Sequence, residues 1–438
     1  MKFSSTRGAP AVSLDQALLD GIASDGGLFV PESLPRFKVE DFAAASSLND
    51  TARTVLQPFF TDSALREQLA SIVDETFTFP IPCTTLPSSS SAKLAMLELF
   101  HGPTAAFKDV GARFLAACLS RLHRRDDKPL TILVATSGDT GGAVAAAFDG
   151  RPGIRVVVLF PHGRVSARQQ KQLTCWGENV LSLSVDGAFD DCQALVKAAF
   201  ADKSLARRYR FSSANSINIG RLLPQSIYYA HASLAHFAAT GRRVSFVIPT
   251  GNLGNGLACI MARDMGLPIG KIVLAVNENR LIADYLRHGD WQPANSIETL
   301  ASAMDVGNPS NMERLRALHG EADELRGLVQ AFAVTDSEIE SEIRRSHAEF
   351  GMALCPHTAT AVHAWRALPA TARDGGDWIL VATAHAAKFE SVVEPLIGET
   401  VALPQALAEI LTRTSAETRI APSLAALTSA LEQGFAAN

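Results

Sequence analysis

A single lysine, Lys108, lies between a Gly-Pro turn and the start of a predicted helix. Pro103 favours a bend, and the apolar residues after it recur at helical spacing: Phe114, Leu115, Cys118, Leu119 and Leu122. In the first turn of a helix, unpaired N–H groups and the positive end of the helix dipole oppose a protonated ammonium. A lysine that loses its proton readily can form a Schiff base with an aldehyde. An ordinary solvated lysine is the alternative, which this position alone leaves open.

Two glycine-rich segments have the composition of anion-binding loops. Residues 136–142 read Thr-Ser-Gly-Asp-Thr-Gly-Gly, and residues 249–256 read Pro-Thr-Gly-Asn-Leu-Gly-Asn-Gly. Each segment follows a predicted strand and opens a predicted helix, so its N–H groups can converge on a carboxylate or a phosphate. Thr136, Ser137 and Thr140 add hydroxyl donors to the first loop. An ordinary turn between a strand and a helix is the alternative for each segment taken alone.

The lysine and the two loops together predict a pyridoxal-phosphate enzyme that acts on an amino acid. One loop would hold the phosphate of the cofactor, and the other would hold the carboxylate of the substrate. The spacing alone does not say which loop does which.

The elements that position these groups follow from an alternation of apolar strands and helices. Predicted strands cover residues 131–136, 154–160, 180–185, 244–248, 272–276 and 378–382. Predicted helices between them cover residues 142–148, 166–176, 190–200, 220–237, 256–265 and 357–368. Continuous apolar strands separated by helices indicate parallel sheets covered on both faces. We therefore expect an α/β protein with two open parallel-sheet domains and the site in the cleft between them, at the carboxyl ends of the strands.

The length of 438 residues exceeds what one hydrophobic core supports, so more than one domain is expected. We expect a mostly helical N-terminal segment over residues 1–92. A smaller α/β domain over residues 93–238 would carry Lys108 and the first loop, and a larger one over residues 239–438 would carry the second loop. The serine run at residues 88–91 predicts a surface loop or linker.

The composition limits the classes of partner. Lys and Arg total 40 against 45 Asp and Glu, and the net charge of -5 gives no electrostatic reason to expect nucleic acid or an anionic membrane. The 6 cysteines are scattered without metal-ligand spacing, which indicates free thiols in a reducing compartment and no metal. The N-terminus lacks a signal-peptide pattern, and no apolar run approaches the ~18 residues that span a bilayer. We expect a soluble cytoplasmic protein, monomeric or homodimeric, that acts on a small molecule.

At these motifs the chain resembles the threonine synthase family, pyridoxal-phosphate enzymes of the tryptophan-synthase-β-like fold (fold type II). The resemblance runs through most of the chain, in residues 5–8, 23–28, 101–111, 136–142, 213–218, 251–255 and 384–385. It implies that pyridoxal 5'-phosphate is the cofactor and that Lys108 is the Schiff-base lysine.

The resemblance also implies roles for other residues. The loop for the cofactor phosphate would be formed by Gly251, Asn252, Leu253, Gly254 and Asn255. Thr383 would be the hydroxyl partner of the pyridine nitrogen. The loop for the substrate carboxylate would be formed by Ser137, Gly138, Asp139 and Thr140, and the region for the substrate phosphate by Ser213, Asn215, Ser216 and Arg221.

Two residues depart from common patterns. Leu253 stands where the family often has Phe, and Asp139 stands where relatives of the wider fold have Asn. Aspartate is usual in threonine synthases, so Asp139 favours that branch over dehydratases and cysteine synthases. His101, Asp109 and His385 belong to the resemblance, which implies no chemistry for them.

The implied reaction converts O-phospho-L-homoserine and water to L-threonine and phosphate. Phosphate would leave the γ-carbon by elimination, and water would then add at the β-carbon, with Lys108 moving the protons. One alternative is a dehydratase or phospho-lyase that releases 2-oxobutyrate. A second alternative is a catalytically inactive protein that binds the same cofactor.

Overall fold

The computed structural model describes residues 1–87, 92–123, 128–136 and 138–435. The serine run at residues 88–91 lies outside them. The strands are β1 (Lys2–Ser5), β2 (Val12–Ser13), β3 (Phe29–Pro31), β4 (Cys83–Leu86), β5 (Leu94–Glu98), β6 (Leu130–Ala135), β7 (Ile154–Pro161), β8 (Val180–Val185), β9 (Phe211–Ser213), β10 (Val244–Pro249), β11 (Ile269–Val276), β12 (Gln330–Ala333), β13 (Asp377–Ala382) and β14 (Thr418–Ile420).

The α-helices cover both faces of the sheets formed by these strands. They are α1 (Leu14–Asp20), α2 (Leu48–Leu56), α3 (Leu69–Thr76), α4 (Lys108–Leu122), α5 (Asp139–Phe148), α6 (Ala167–Thr174), α7 (Phe189–Ala201), α8 (Lys203–Tyr209), α9 (Ile219–Leu222), α10 (Gln225–Thr240), α11 (Gly254–Asp264), α12 (Leu281–His288), α13 (Asn311–His319), α14 (Ala322–Leu328), α15 (Asp336–Phe350), α16 (Pro356–Ala367), α17 (Ala370–Asp374), α18 (Glu390–Ile397), α19 (Gln405–Leu411) and α20 (Leu424–Gly434).

Two parallel sheets organise the molecule, which confirms the predicted fold class. The larger sheet has the order β12-β11-β10-β13-β5-β4 and is parallel apart from the antiparallel pair β4 and β5. The smaller sheet has the order β14-β8-β7-β6-β9 and is parallel throughout. Every residue of β6, β10 and β13 is buried, as continuous apolar strands between two helical layers require.

The hydrophobic core is continuous between the N-terminal segment and both sheets. Phe60 of this segment, Phe114 of α4 and Phe246 of β10 belong to one buried cluster. The rings of Phe60 and Phe114 meet edge to face with centroids 6.1 Å apart. The start of α4 is therefore fixed by packing on its apolar side.

Two of the differences from the predictions are a divided helix and a small sheet in the N-terminal segment. The short strands β4, β5, β9, β12 and β14 were not predicted either. The helix predicted over residues 220–237 is divided into α9 and α10 at Pro224, because proline lacks the N–H that would continue the helix. The N-terminal segment contains α1, α2 and α3 as expected, and also an antiparallel sheet of order β2-β1-β3. Its strands have 4, 2 and 3 residues, too short to show alternation in the sequence.

The domain boundaries at residues 92 and 238 remain a prediction. Two strands lie in a different sheet from the one that these boundaries imply. β5 pairs with β13 in the larger sheet, and β14 pairs with β8 in the smaller sheet. Of the helices described, none is both long enough and apolar enough to cross a membrane.

Candidate active site

Lys108 is the first residue of α4, at the position that the sequence predicted. The turn before it is bonded to the end of β13: Phe107 N–H donates to the Thr383 carbonyl at 2.8 Å, and His385 N–H donates to the Ala105 carbonyl at 3.0 Å. Ala105 has a positive φ of 53°, which gives the turn its sharp direction. The first turn of α4, which carries Lys108, is therefore held against the residue that ends β13, Thr383.

The ammonium of Lys108 is destabilised by its surroundings. Burial is the main cause that lowers its pKa to about 8, and the positive charges of Lys388 and Arg221 act in the same direction. The Asp139 carboxylate acts in the opposite direction. The pKa of Lys108 is thus lowered in the direction that the sequence predicted, with burial as the leading cause.

Asp109, for which the resemblance implies no chemistry, closes the turn that precedes Lys108. Its carboxylate accepts the Thr104 N–H at 2.9 Å and the Thr104 hydroxyl at 2.6 Å. A Cβ at Gly102 would lie 2.5 Å from the Asp109 carboxylate, so only glycine fits there. Asp109 is thus a structural residue of the Lys108 turn.

The first predicted loop joins β6 to α5 and carries a buried carboxylate. Asp139 is bonded by Lys388 Nζ at 2.8 Å and by Gln169 Nε2 at 3.1 Å. Burial alone would raise the pKa of Asp139, but the charges of Lys388 and Lys108 outweigh it and hold the pKa below its ordinary range. Asp139 is therefore an anion inside a loop predicted to receive another anion.

The hydroxyl of Thr136 shapes this first loop. It accepts the N–H of Gly138 at 3.0 Å and the N–H of Gly141 at 2.9 Å. Gly138 has a φ of 139°, which favours glycine. Thr140 is the second residue of α5, and Ser137 lies outside the described residues.

The second predicted loop joins β10 to α11, and the side chain of its Asn255 is oriented by two tyrosines. Asn255 Oδ1 accepts the hydroxyls of Tyr228 at 2.5 Å and Tyr229 at 2.8 Å. Its buried Nδ2 finds no hydrogen-bond partner within the described chain. Leu253, with φ 63°, turns the chain so that α11 begins at Gly254. The unpaired amide and the first-turn N–H groups form a cradle for an anion.

The segment 213–218 links the two loops. Asn215 Nδ2 donates to the Ala135 carbonyl at 3.0 Å, next to the first loop. Asn252 Nδ2 donates to the Ser216 hydroxyl at 2.5 Å, within the second loop. The Ser213 hydroxyl oxygen accepts the Asn215 N–H at 3.2 Å. The structure thus brings together predicted residues that are far apart in the sequence.

Arg221 belongs to α9 and is buried against Gly111 of α4. Its Nη1 donates to the Ala214 carbonyl, while its buried Nε has no partner in the part of the chain described. Burial lowers its pKa to about 10. A buried guanidinium with an unused donor is what an anion site requires.

Other residues at the site were not predicted. They are Lys388, Gln169, Arg314 and His357. His357 Nε2 accepts the Ala303 N–H at 3.0 Å, so the ring is neutral at that nitrogen, and burial first of all lowers its pKa to about 4. The sequence around His357 carries no signal for the buried site in which it lies. Among the described residues no three acidic, histidine or cysteine side chains gather as a metal site would need.

One observation above all indicates that this loop can hold the phosphate of pyridoxal phosphate. Asn255 presents an unpaired buried amide at the N-terminus of α11, where a phosphate would satisfy it. A Cβ at Gly251 would lie 2.6 Å from Met304 Cα, so the glycine is required for the loop to pack.

Three family models match successive parts of the chain, from residue 2 to residue 430. Residues 75–384 match the family model described as pyridoxal-phosphate dependent enzyme. Residues 2–77 match the model of the threonine synthase N terminus, and residues 358–430 match that of the threonine synthase C-terminal region.

Individual relatives cover nearly the full length. Threonine synthase of Escherichia coli is 40% identical over 401 residues, 91% of each chain, and that of Pseudomonas aeruginosa is 35% identical over 94% of each. The crystal structure of threonine synthase from Escherichia coli superposes with a TM-score of 0.90 at 36% identity, covering 99% of this chain and 100% of the other. That of the PLP-bound threonine synthase from Brucella melitensis gives 0.88 at 35% identity, covering 99% of both.

Proposed function

The chain belongs to the threonine synthase family of pyridoxal-phosphate enzymes, and we propose that it converts O-phospho-L-homoserine and water to L-threonine and phosphate at the site around Lys108. The observation that carries this proposal is Lys108 itself. Its amine has a pKa lowered to about 8 and lies at the junction of the 136–142 loop and the end of β13.

Lys108 would attach the cofactor and move protons. A pKa lowered to about 8 gives the amine of Lys108 a much larger neutral fraction near physiological pH than an ordinary lysine has, so it can act both as nucleophile and as general base. The cofactor, when bound, supplies an electron sink for the charge that develops at the substrate's α-carbon. Lys108 would take the proton from the α-carbon and then one from the β-carbon, and loss of the second proton would expel phosphate from the γ-carbon. It would return one proton to the γ-carbon and, after water has added at the β-carbon, one to the α-carbon.

The 251–255 loop would hold the cofactor phosphate. Asn255 Nδ2 and the unpaired N–H groups of the first turn of α11 supply donors, and the side chain of Asn252 is already bonded to Ser216. Asn252 therefore acts by fixing the loop. The hydroxyl of Thr383 would meet the pyridine nitrogen.

The substrate would bind through its two anionic groups. Its carboxylate would meet the loop of Ser137, Gly138, Asp139 and Thr140. Its phosphate would meet Arg221 with Ser213, Asn215 and Ser216. Arg221 is the best supported of these, because its buried Nε has no other partner among the residues described.

The test is a phosphate-release assay with O-phospho-L-homoserine in which the amino-acid product is identified. The proposal requires one equivalent of L-threonine for each phosphate released, and no turnover by Lys108→Ala. Release of 2-oxobutyrate would establish the phospho-lyase alternative. Cofactor colour without phosphate release would establish the inactive binding protein.

The partners and location remain proposals. A net charge of -5 supports a protein without a nucleic-acid partner. The proposed oligomeric state is a monomer or a homodimer. The cytoplasm is the proposed compartment, supported by free cysteines at all 6 positions.

A further inference from the structure

A second lysine, Lys388, is buried at the site. It lies in the 3₁₀ turn Ala386–Phe389, a few residues after Thr383, and its side chain is 0% exposed. Its Nζ donates to the Thr104 carbonyl at 2.8 Å and lies 2.8 Å from Asp139 Oδ1. A fully buried lysine needs such partners, and here they belong to the two segments that flank Lys108.

The ion pair joins the two parallel sheets. Asp139 follows β6 of the smaller sheet, and Lys388 follows β13 of the larger sheet. The turn of Lys388 is itself fixed, since the Ser166 hydroxyl donates to the Lys388 carbonyl at 3.1 Å. The position of the Asp139 loop relative to Lys108 thus depends on Lys388.

The Asp139 carboxylate needs a cation other than Lys108, because the other groups around it do not compensate its negative charge. Gln169 gives Asp139 only a neutral hydrogen bond. His357 accepts a main-chain N–H and is held neutral by burial, so it supplies no charge at neutral pH. Lys108 must lose its own charge to react. Arg221 is directed to the Ala214 carbonyl.

An uncompensated carboxylate would oppose substrate binding in this loop. Two carboxylates in a buried region repel each other strongly, and removing one partner of a buried ion pair is costly. An asparagine at this position would carry no charge and would need no counter-ion.

We propose that Lys388 is a positioning residue whose ammonium compensates the ionised Asp139, so that the 138–140 loop can accept the substrate carboxylate while the Lys108 amine is neutral. The inference rests on the roles of Lys108 and of this loop proposed above. It predicts that Lys388 is needed only when residue 139 carries a charge.

The test compares holoenzymes of Lys388→Met, Asp139→Asn and the double variant. The readouts are the dissociation constant for L-threonine, measured by the change in visible absorbance of the bound cofactor, and kcat and KM for O-phospho-L-homoserine. In the wild-type background, Lys388→Met should weaken L-threonine binding and raise KM by about 10-fold to 100-fold. In the Asp139→Asn background, the same change should alter both by less than about 3-fold. Lys203→Met, at an exposed position on α8, serves as the control.

Equal effects of Lys388→Met in the two backgrounds would overturn the inference, and so would unchanged L-threonine binding in Lys388→Met. If Lys388→Met does not fold, the double variant must recover folding and cofactor binding; a double variant that also fails would contradict the compensation. Borohydride reduction separates this inference from the proposed function. A reduced cofactor found on a lysine other than Lys108 refutes the proposed function, whereas a tag on Lys108 with unchanged L-threonine binding refutes only the role of Lys388.

Discussion

At the scale of single residues, the site is marked by buried polar atoms that the folded chain leaves unused. Arg221 Nε and Asn255 Nδ2 are both buried donors without a partner among the described residues. A buried donor that stays unpaired is unfavourable, and we propose that a ligand satisfies each of these two. The two atoms lie on different segments, which suits one phosphate on the substrate and another on the cofactor.

Replacing Arg221 with Ala should impair substrate use without loss of the cofactor. Loss of charge-assisted hydrogen bonds to a phosphate corresponds to about a 10-fold to 100-fold increase in KM. Steady-state kinetics and the visible absorbance of the cofactor check both parts, with the exposed Arg243→Ala as a control. A variant of Arg221 with an unchanged KM would remove it from the substrate site.

Replacing Asn255 with Asp should weaken cofactor binding by about 10-fold or more, because the unpaired donor becomes a negatively charged acceptor facing a phosphate. The shape of the side chain is kept, and the hydroxyls of Tyr228 and Tyr229 keep an acceptor. The measurement is the dissociation constant of pyridoxal phosphate, with the exposed Asn295→Asp as the matched control. Equal affinity in the two variants would show that Asn255 does not meet the phosphate.

At the scale of helices and strands, the elements that show a clear apolar periodicity were predicted from the sequence. The start of α4 at Lys108 and the strand β8 are predicted and observed at the same residues. The break at Pro224 could have been predicted from the proline alone, since a proline disfavours helix at the residue before it. Lys388 could not be predicted, because its partners Asp139 and Thr104 are far away in the sequence and are brought to it only by the packing of the two sheets.

Two helical glycines should respond to alanine with opposite signs. A Cβ at Gly111 of α4 would lie 2.7 Å from the Arg221 carbonyl, whereas a Cβ at Gly327 of α14 would meet nothing within 4 Å. Gly327→Ala should raise Tm by about 1 to 3 °C through helix propensity. Gly111→Ala should lower Tm by several degrees and also raise KM, because α9 and Arg221 must shift. Calorimetry and steady-state kinetics of both variants test this packing. A Gly111→Ala variant with a raised Tm would contradict it.

At the scale of the whole molecule, the N-terminal segment is joined to the site through α13. The buried Arg314 donates to the Phe29 carbonyl at 2.9 Å and to the Ser216 carbonyl at 3.1 Å, and also to the Ile217 carbonyl. Arg7 of the N-terminal segment binds the neighbouring Glu313 with two hydrogen bonds of 2.9 Å. The segment therefore supports the 213–218 loop from outside the two sheets.

Replacing Arg314 with Met should destabilise the protein far more than Arg316→Met on the same helix. Arg314 is 0% exposed, and its loss removes the donor to three carbonyls, at about 1 to 3 kcal/mol for each carbonyl left unpaired. Arg316 is partly exposed and pairs with Glu321 at the surface, where ion pairs contribute about 0 to 1 kcal/mol. Thermal unfolding of both variants is the measurement. Similar Tm values would mean that Arg314 does not hold the segments together.

The central claim is that the amine of Lys108 captures the cofactor. The most direct measurement is borohydride reduction of the cofactor-saturated protein, followed by proteolysis and mass mapping of the modified peptide. Reduction should place one pyridoxyl group per chain on Lys108, and none in Lys108→Ala. A pyridoxyl group on another lysine, or no modification of the saturated protein, would contradict it.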